Sequence, residues 1–286
     1  MKTNMRKILF SLPVHERPDI LRGQIENINY FCPGSVICIH VSADALASKD
    51  EFRRHCDFEN VHISPYSYQT VWSGGIMHTH IANFLYALEA GLDFDAVMLI
   101  SSNELLVKHG LADYVSQYEL GSQTEVYDPS NDWGVFNSNF LNLPGMQGFL
   151  AALGLPLFFG GQAEGQFASR QIFMQIAKLF VEHFPMGPIG FPIEEVILPT
   201  MAACFGLMGT DVTLPITLCN YCNNLEMNPH VVEQVRRGTG LLVARRMPRA
   251  LRSPHIGASA LKGVFSVKRV PREDCDLRRY IFSLMT

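Results

Sequence analysis

Two adjacent carboxylates, Glu194 and Glu195, stand between a loop rich in glycine and proline (residues 187–192) and an almost wholly apolar run (196–204). Gly187 and Gly190 punctuate the loop. Pro192 suits the first turn of a helix, where its missing N–H leaves no bond unmade. Both acids therefore belong to a helix N-terminus facing whatever the loop encloses. Acids are enriched there because they complement the helix dipole, an effect of about 0.3–1 kcal/mol. The same dipole would keep such a carboxylate ionised at neutral pH, ready to take the proton of a hydroxyl about to act as a nucleophile. Adjacent helical residues point about 100° apart, so only one of the pair can face that hydroxyl.

Other residue types offer less. Asp93-Phe94-Asp95 has the form of a cation-binding acidic pair. It precedes the apolar run 96–100, whereas ligand-binding residues of a parallel sheet follow their strands. His78 and His80, two apart on a helix, do not share a face and make poor joint metal ligands. Cys219-Asn220-Tyr221-Cys222 has no second CxxC and no histidine pair at zinc spacing, so packing is its expected role. The seven cysteines are odd in number and several lie in apolar runs, which fits buried thiols in a reducing compartment.

The elements that must position these groups follow from hydrophobic periodicity. Residues 8–14 read as a buried strand, 17–28 as a helix with apolar residues at helical spacing, and 35–41 as a second strand. Strand, helix, strand at this spacing is a βαβ unit, which implies a parallel sheet with a right-handed crossover. Ligands of such sheets bind beyond the carboxyl ends of the strands. Here those ends are Val14-His15-Glu16 and Val41-Ser42-Ala43-Asp44. Residues 60–64 read as a third strand, 77–90 as a helix, and 95–100 as a fourth, fully buried strand ending in Ser101-Ser102-Asn103-Glu104. Residues 117–148 are polar and poorly periodic and read as a surface excursion able to cover an acceptor. Helices are expected at 171–183, from Pro192 onward, at 231–236 and at 275–284, with strands at 212–218, 241–244 and 264–267.

At 286 residues with 48% hydrophobic side chains, the chain is read as one α/β domain, residues 1–110 forming a nucleotide-binding half and 111–286 an acceptor and catalytic half. A net charge of −4 excludes wholesale nucleic-acid binding. Lys2, Arg6 and Lys7 precede the run 8–14, but Pro13 interrupts it and His15 and Glu16 follow at once, so the run is a strand and not a signal peptide. No stretch is long enough to span a bilayer. The expected location is cytoplasmic, with at most peripheral contact at the inner face of the membrane. For that contact the local cluster Arg245, Arg246, Arg249, Arg252, Lys262, Lys268, Arg269 and Arg272 suits an anionic lipid surface.

With these pieces in order, the chain resembles the core-2/I-branching glycosyltransferases (glycosyltransferase family 14), in a bacterial or viral form. The likeness is one of pattern over most of the chain. Cys38-Ile39-His40-Val41 resembles the family's second strand, with Ser42 where an Asp normally holds the uridine and Asp44 two residues on. Val71-Trp72-Ser73 is similar to its Val-Tyr-Ala-Ser-Trp segment, placing Trp72 at a nucleotide-contacting Tyr. Ser102-Asn103-Glu104 falls at its Gly-Met-Asp, which makes Asn103 and Glu104 the acceptor candidates. Glu195-Val196-Ile197-Leu198-Pro199-Thr200 is similar to its Pro-Asp-Glu-Tyr-Leu-Trp-Ala-Thr, whose Glu is the catalytic base, and this singles out Glu195. Val264-Phe265-Ser266-Val267-Lys268 resembles its Leu-Phe-Ala-Asn-Lys, and the family's spacing counted back lands on Arg245.

The resemblance implies a GT-A-like, Rossmann-like fold with a central, mostly parallel sheet flanked by helices. It implies an inverting enzyme that uses no cofactor and no metal and moves a sugar, GlcNAc or xylose by analogy, from a UDP-sugar to a glycan or lipid-linked saccharide. Donor contacts would come from Val14, His15, Ser42, Asp44, Trp72, Arg245 and Lys268, the last two steadying the diphosphate in place of a metal. Two alternatives stand beside it: a catalytically silent nucleotide- or carbohydrate-binding protein, and a metal-dependent enzyme of the same fold using Asp93 and Asp95.

Overall fold

A computed structural model describes residues 5–15, 17–71, 75–126, 139–218, 227–238 and 260–286. The chain begins β1 (Ile8–Val14), α1 (Pro18–Phe31), β2 (Val36–Val41), α2 (Lys49–His55), β3 (Val61–Ile63), α3 (Met77–Glu89) and β4 (Ala96–Leu99). Every residue of β1, β2 and β4 is buried. Helices cover both faces of these strands, so each reads as a continuous apolar run instead of an alternating one. The chain continues through β5 (Glu104–Leu106), α4 (Leu111–Val115), β6 (Leu120–Gly121), β7 (Glu125–Val126), α5 (Met146–Leu153), β8 (Phe159–Gly160), β9 (Phe167–Ser169) and α6 (Arg170–His183). It closes with α7 (Glu194–Leu207), β10 (Val212–Thr213), β11 (Thr217–Leu218), α8 (Pro229–Arg237), β12 (Ser266–Lys268) and α9 (Asp276–Ser283).

The central sheet has seven strands in the order β3-β2-β1-β4-β9-β6-β10. All are parallel except β9, which runs against both β4 and β6. From β1 the chain builds outward to β2 and β3, then returns through α3 to place β4 on the other side of β1. The direction of winding reverses there, which leaves a crevice beyond the carboxyl ends of β1 and β4, where ligands of such sheets bind. A three-stranded sheet, β11-β12-β5, stands at that end, and β7 pairs with β8.

One apolar core joins α3, α6 and α7 to a face of the sheet through Ile81, Phe84, Phe173, Phe180, Val196 and Leu198. The other face is covered by α1 and α2 through Leu21, Ile25, Ile28 and Phe52. A smaller core beneath β5 and β12 packs Val232, Val235, Leu277 and Ile281 of the last two helices. Two polar residues on the buried face of α1 anchor β5 as a neighbouring strand would. Asn27 exchanges bonds with the Leu106 backbone (2.9 and 2.7 Å), and Gln24 donates to the carbonyls of Ser101 (2.6 Å) and Glu104 (2.8 Å).

The α/β architecture with its mostly parallel sheet is the one expected, and its strands come from both sides of residue 110. Two local readings are corrected, and one helix is added to them. Residues 212–218 are not one strand: Pro215 separates β10, in the central sheet, from β11, in the smaller one. The added helix is α2, where Ser48 and Glu51 form a full capping box at the start. The segment 117–148 is only partly a surface excursion, because β6 is buried between β9 and β10. Residues 127–138 and 241–244 lie outside the described residues.

Candidate functional site

The carboxyl ends of β1 and β2 are tied together by Ser42, whose N–H donates to the Val14 carbonyl (2.8 Å). Its hydroxyl donates to the Asp44 carboxylate and accepts from the Thr70 N–H (2.9 Å) and hydroxyl (2.7 Å). That bond from Ser42 holds the exposed Asp44 carboxyl below the usual carboxylate range. His15 is exposed at the same edge, and its carbonyl accepts from Leu46 N–H (3.3 Å). Two buried histidines pin the loop opposite. His40 Nε2 accepts from the Tyr68 N–H (2.9 Å), and His78 Nε2 meets the Gln69 carbonyl (3.0 Å). Burial pushes His40 down to about 4, so it stays a neutral acceptor. Val14, His15, Ser42 and Asp44 thus share one edge of the crevice. Trp72 lies outside the described residues.

Beyond β4, the Asn103 carbonyl accepts from Val270 N–H (3.2 Å), and its side-chain oxygen accepts from the Ser101 hydroxyl (3.2 Å). Glu104 turns inward. Its buried carboxylate accepts from the Thr217 hydroxyl, from Ser266 Oγ (2.8 Å) and from Ser101 N–H (3.3 Å). The register of β5 against β12 sets Glu104 opposite Lys268. The expectation that Glu104 faces an acceptor therefore meets a carboxylate committed to the interior of the small sheet.

Lys268 forms an ion pair with Glu164, and both side chains are almost wholly buried. Burial pushes the Glu164 carboxyl up, as does nearby Glu104, while burial pushes the Lys268 ammonium down. Glu164 escaped the sequence reading, yet its loop is stitched into the site at every step. Gly161 N–H donates to the Glu195 carbonyl (2.9 Å), and Gln162 Nε2 to the carbonyls of Glu164 (3.0 Å) and Thr217 (2.8 Å). Gly165 N–H donates to Leu99 (2.9 Å), and Gln166 Nε2 to the Glu194 carbonyl (3.1 Å). Gly165 has φ +73°, and an added Cβ would lie 2.1 Å from Thr217 Oγ1, so only glycine fits.

The two acids at the start of α7 have separate surroundings, as their adjacency requires. Glu194 is buried, and its carboxylate accepts from Ile76 N–H (2.9 Å) at the head of α3, a helix with no side-chain cap of its own. Burial pushes Glu194 up to about 7, against the opposing pull of that bond. The contact needs Gly75, whose φ is +82° and whose hypothetical Cβ would sit 2.3 Å from the Phe191 carbonyl. Glu194→Ala should thus leave a buried N–H unsatisfied and lower stability by about 1–3 kcal/mol, while Glu194→Gln should lose less. Urea unfolding of the two variants checks this, and equal stabilities would contradict it.

Glu195 is half-buried, and among the described residues its carboxyl makes no hydrogen bond or ion pair. Burial, then Glu164, then Glu194 push it well above the ordinary carboxylate range. Contrary to expectation, the helix dipole does not keep Glu195 ionised, because desolvation and two neighbouring acids outweigh a terminal dipole. A carboxyl so raised takes up a proton readily once it has been emptied.

Asp93 and Asp95 are at the opposite end of the sheet. Asp95 accepts from Lys7 N–H (2.8 Å), and Asp93 pairs with Lys7 Nζ (3.5 Å) just before β4. This position removes them as holders of a cation in the crevice. Arg245 lies outside the described residues, as do Cys219 and Cys222.

No protein-family model and no curated protein matches the chain. Solved structures with related coordinates include a mannosyltransferase from Pyrobaculum calidifontis in complex with GDP-Man and Mn2+. It is 13% identical, covers 91% of this chain and 70% of its own, and has a TM-score of 0.44. A nucleoside-diphosphate-sugar pyrophosphorylase from Vibrio cholerae RC9 is 7% identical over 73% of this chain and 91% of its own, at a TM-score of 0.44. The galactosyltransferase LgtC, in complex with donor and acceptor sugar analogues, is 11% identical over 98% of this chain and 95% of its own, at a TM-score of 0.40.

Proposed function

We propose that this chain is a single-domain, GT-A-like glycosyltransferase that moves a sugar from a nucleotide sugar to a glycan hydroxyl with inversion and without a metal. The observation that carries the reading is the meeting, beyond the carboxyl ends of β1 and β4, of an unbonded, half-exposed carboxyl, Glu195, with a buried lysine, Lys268, one loop away. A base and a cationic anchor are the two groups that glycosyl transfer without a metal requires. In this account the acceptor oxygen attacks the anomeric carbon as the bond from that carbon to the diphosphate breaks. Glu195 takes the acceptor's proton, and the leaving diphosphate keeps the electron pair against Lys268 and Arg245. Val14, His15, Ser42, Asp44 and Trp72 bind the nucleoside side of the donor, and Asn103 faces the acceptor.

The donor class we favour is UDP-GlcNAc or UDP-xylose, following the resemblance in the sequence. The acceptor we favour is a glycan or lipid-linked saccharide, presented at most from a membrane surface. A cavity of about 910 Å3 lies beside the second half of α7, lined among others by Tyr114, Tyr118, Phe159, Ser122 and Thr213. Aromatic faces with neutral hydroxyls suit the remaining rings of such an acceptor.

Release of free nucleoside diphosphate from a panel of sugar nucleotides, with and without acceptor glycans, tests the reading. Release from at least one donor is expected, and none from any would overturn it. The same assay in excess chelator should run at an unchanged rate. Loss of turnover that manganese or magnesium restores would contradict metal independence.

A further inference from the structure

We propose that Glu164 is the resident counter-ion of the phosphate-binding lysine, and that donor binding exchanges Lys268 from Glu164 to the diphosphate with uptake of a proton by the carboxyl left behind. The inference rests on Lys268 being the diphosphate ligand. The Glu164 carboxylate engages Lys268, and bonds from Gly161 through Gln166 hold its loop against α7, β4 and β11. The backbone that carries the carboxylate therefore stays in place when an anion arrives. The ionisable groups facing it are Glu104 from β5, Lys268 from the end of β12 with Arg269 just after it, and Glu194 and Glu195 from α7. With Glu164 itself, four carboxyls crowd this space. A diphosphate brings at least two more negative charges into this buried space, where unbalanced charge is costly. A proton on Glu164 offsets one of those charges: Lys268 Nζ leaves the carboxylate for a phosphate oxygen, and the carboxylate gains H+ from solvent. Burial among other acids already favours that protonated form.

The exchange has a signature that a purely structural role lacks. Glu164 competes for Lys268 only while it is ionised, so its removal should help binding more as pH rises. Calorimetric titration of UDP and of GDP into the full-length protein, in excess chelator between about pH 6.5 and 8.5, compares wild type with Glu164→Gln and Glu164→Asp. Each pH is run in two buffers of different ionisation enthalpy to count protons. Glu164→Gln should bind the preferred nucleotide roughly tenfold more tightly at the upper end, equivalent to one pKa unit of competition, and equally at the lower end. Wild type and Glu164→Asp should take up protons on binding, and Glu164→Gln fewer. A Glu164→Gln protein that is folded by circular dichroism and matches wild type in affinity and proton uptake across the range would overturn the exchange. Lys268→Met separates this from the premise. If it binds nucleotide as tightly as wild type, Lys268 is not the diphosphate ligand and both ideas fall. If it loses binding while Glu164→Gln matches wild type, only the exchange falls.

Discussion

Replacing Glu195 by glutamine is expected to lower turnover by about 10²–10⁴, the usual worth of a positioned general base, with nucleotide binding little changed. The size of the side chain and its ability to hydrogen-bond survive the change, while its basicity does not. Of Glu104, Glu164, Glu194 and Glu195, the first three are each engaged by hydroxyl, lysine or backbone N–H, and Glu195 makes no hydrogen bond or ion pair among the described residues. Burial and the two neighbouring acids place its titration above the ordinary carboxylate range, so the acid limb of kcat/KM should also lie above that range. Activity should rise with pH as Glu195 gives up its proton. Glu164→Gln should shift that limb toward lower pH by removing a negative neighbour. Near wild-type turnover in Glu195→Gln, or a dead Glu194→Gln, would contradict the assignment.

Lys268→Met should reduce both stability and turnover, and the two losses should separate. Truncating one partner of a buried ion pair leaves the other charge uncompensated, at about 3–5 kcal/mol. Glu164 and Glu104 would face each other without the lysine between them. Loss of a cationic clamp on the leaving group should lower kcat by about 10²–10³, as removal of a single transition-state donor does. The double variant Glu164→Gln/Lys268→Met removes the stranded carboxylate along with the lysine. It should regain most of the stability and none of the turnover. Denaturant unfolding beside single-turnover rates distinguishes these outcomes. Recovery of activity together with stability would mean that Lys268 only supports the fold.

How far the sequence discloses this site depends on whether each determinant is local. Strands β1, β2 and β4 declare themselves because burial on both faces makes them continuous apolar runs. The loop with Pro192 discloses the start of α7, and with it Glu194 and Glu195. Nothing local discloses what each acid touches. Glu194 caps a helix 118 residues away, and that contact exists only because α3 and α7 pack together. Glu104 stands at a strand end, where residues usually face ligands, but the pairing of β5 with β12 turns it toward Thr217 and Ser266. Glu164 sits in Gly160-Gly161-Gln162-Ala163-Glu164-Gly165-Gln166, a short polar stretch with no periodicity. Its one clue is an acid followed at once by glycine, and the meaning of that clue comes from Thr217 of β11 pressing on Gly165.

The most direct measurement of the central claim is a crystal structure of the protein with UDP bound. The diphosphate is expected beyond the carboxyl ends of β1 and β4, with a phosphate oxygen within hydrogen-bonding distance of Lys268 Nζ and Glu195 bordering the space left for the sugar. UDP bound elsewhere, or bound in that crevice with Lys268 still paired to Glu164, would contradict it.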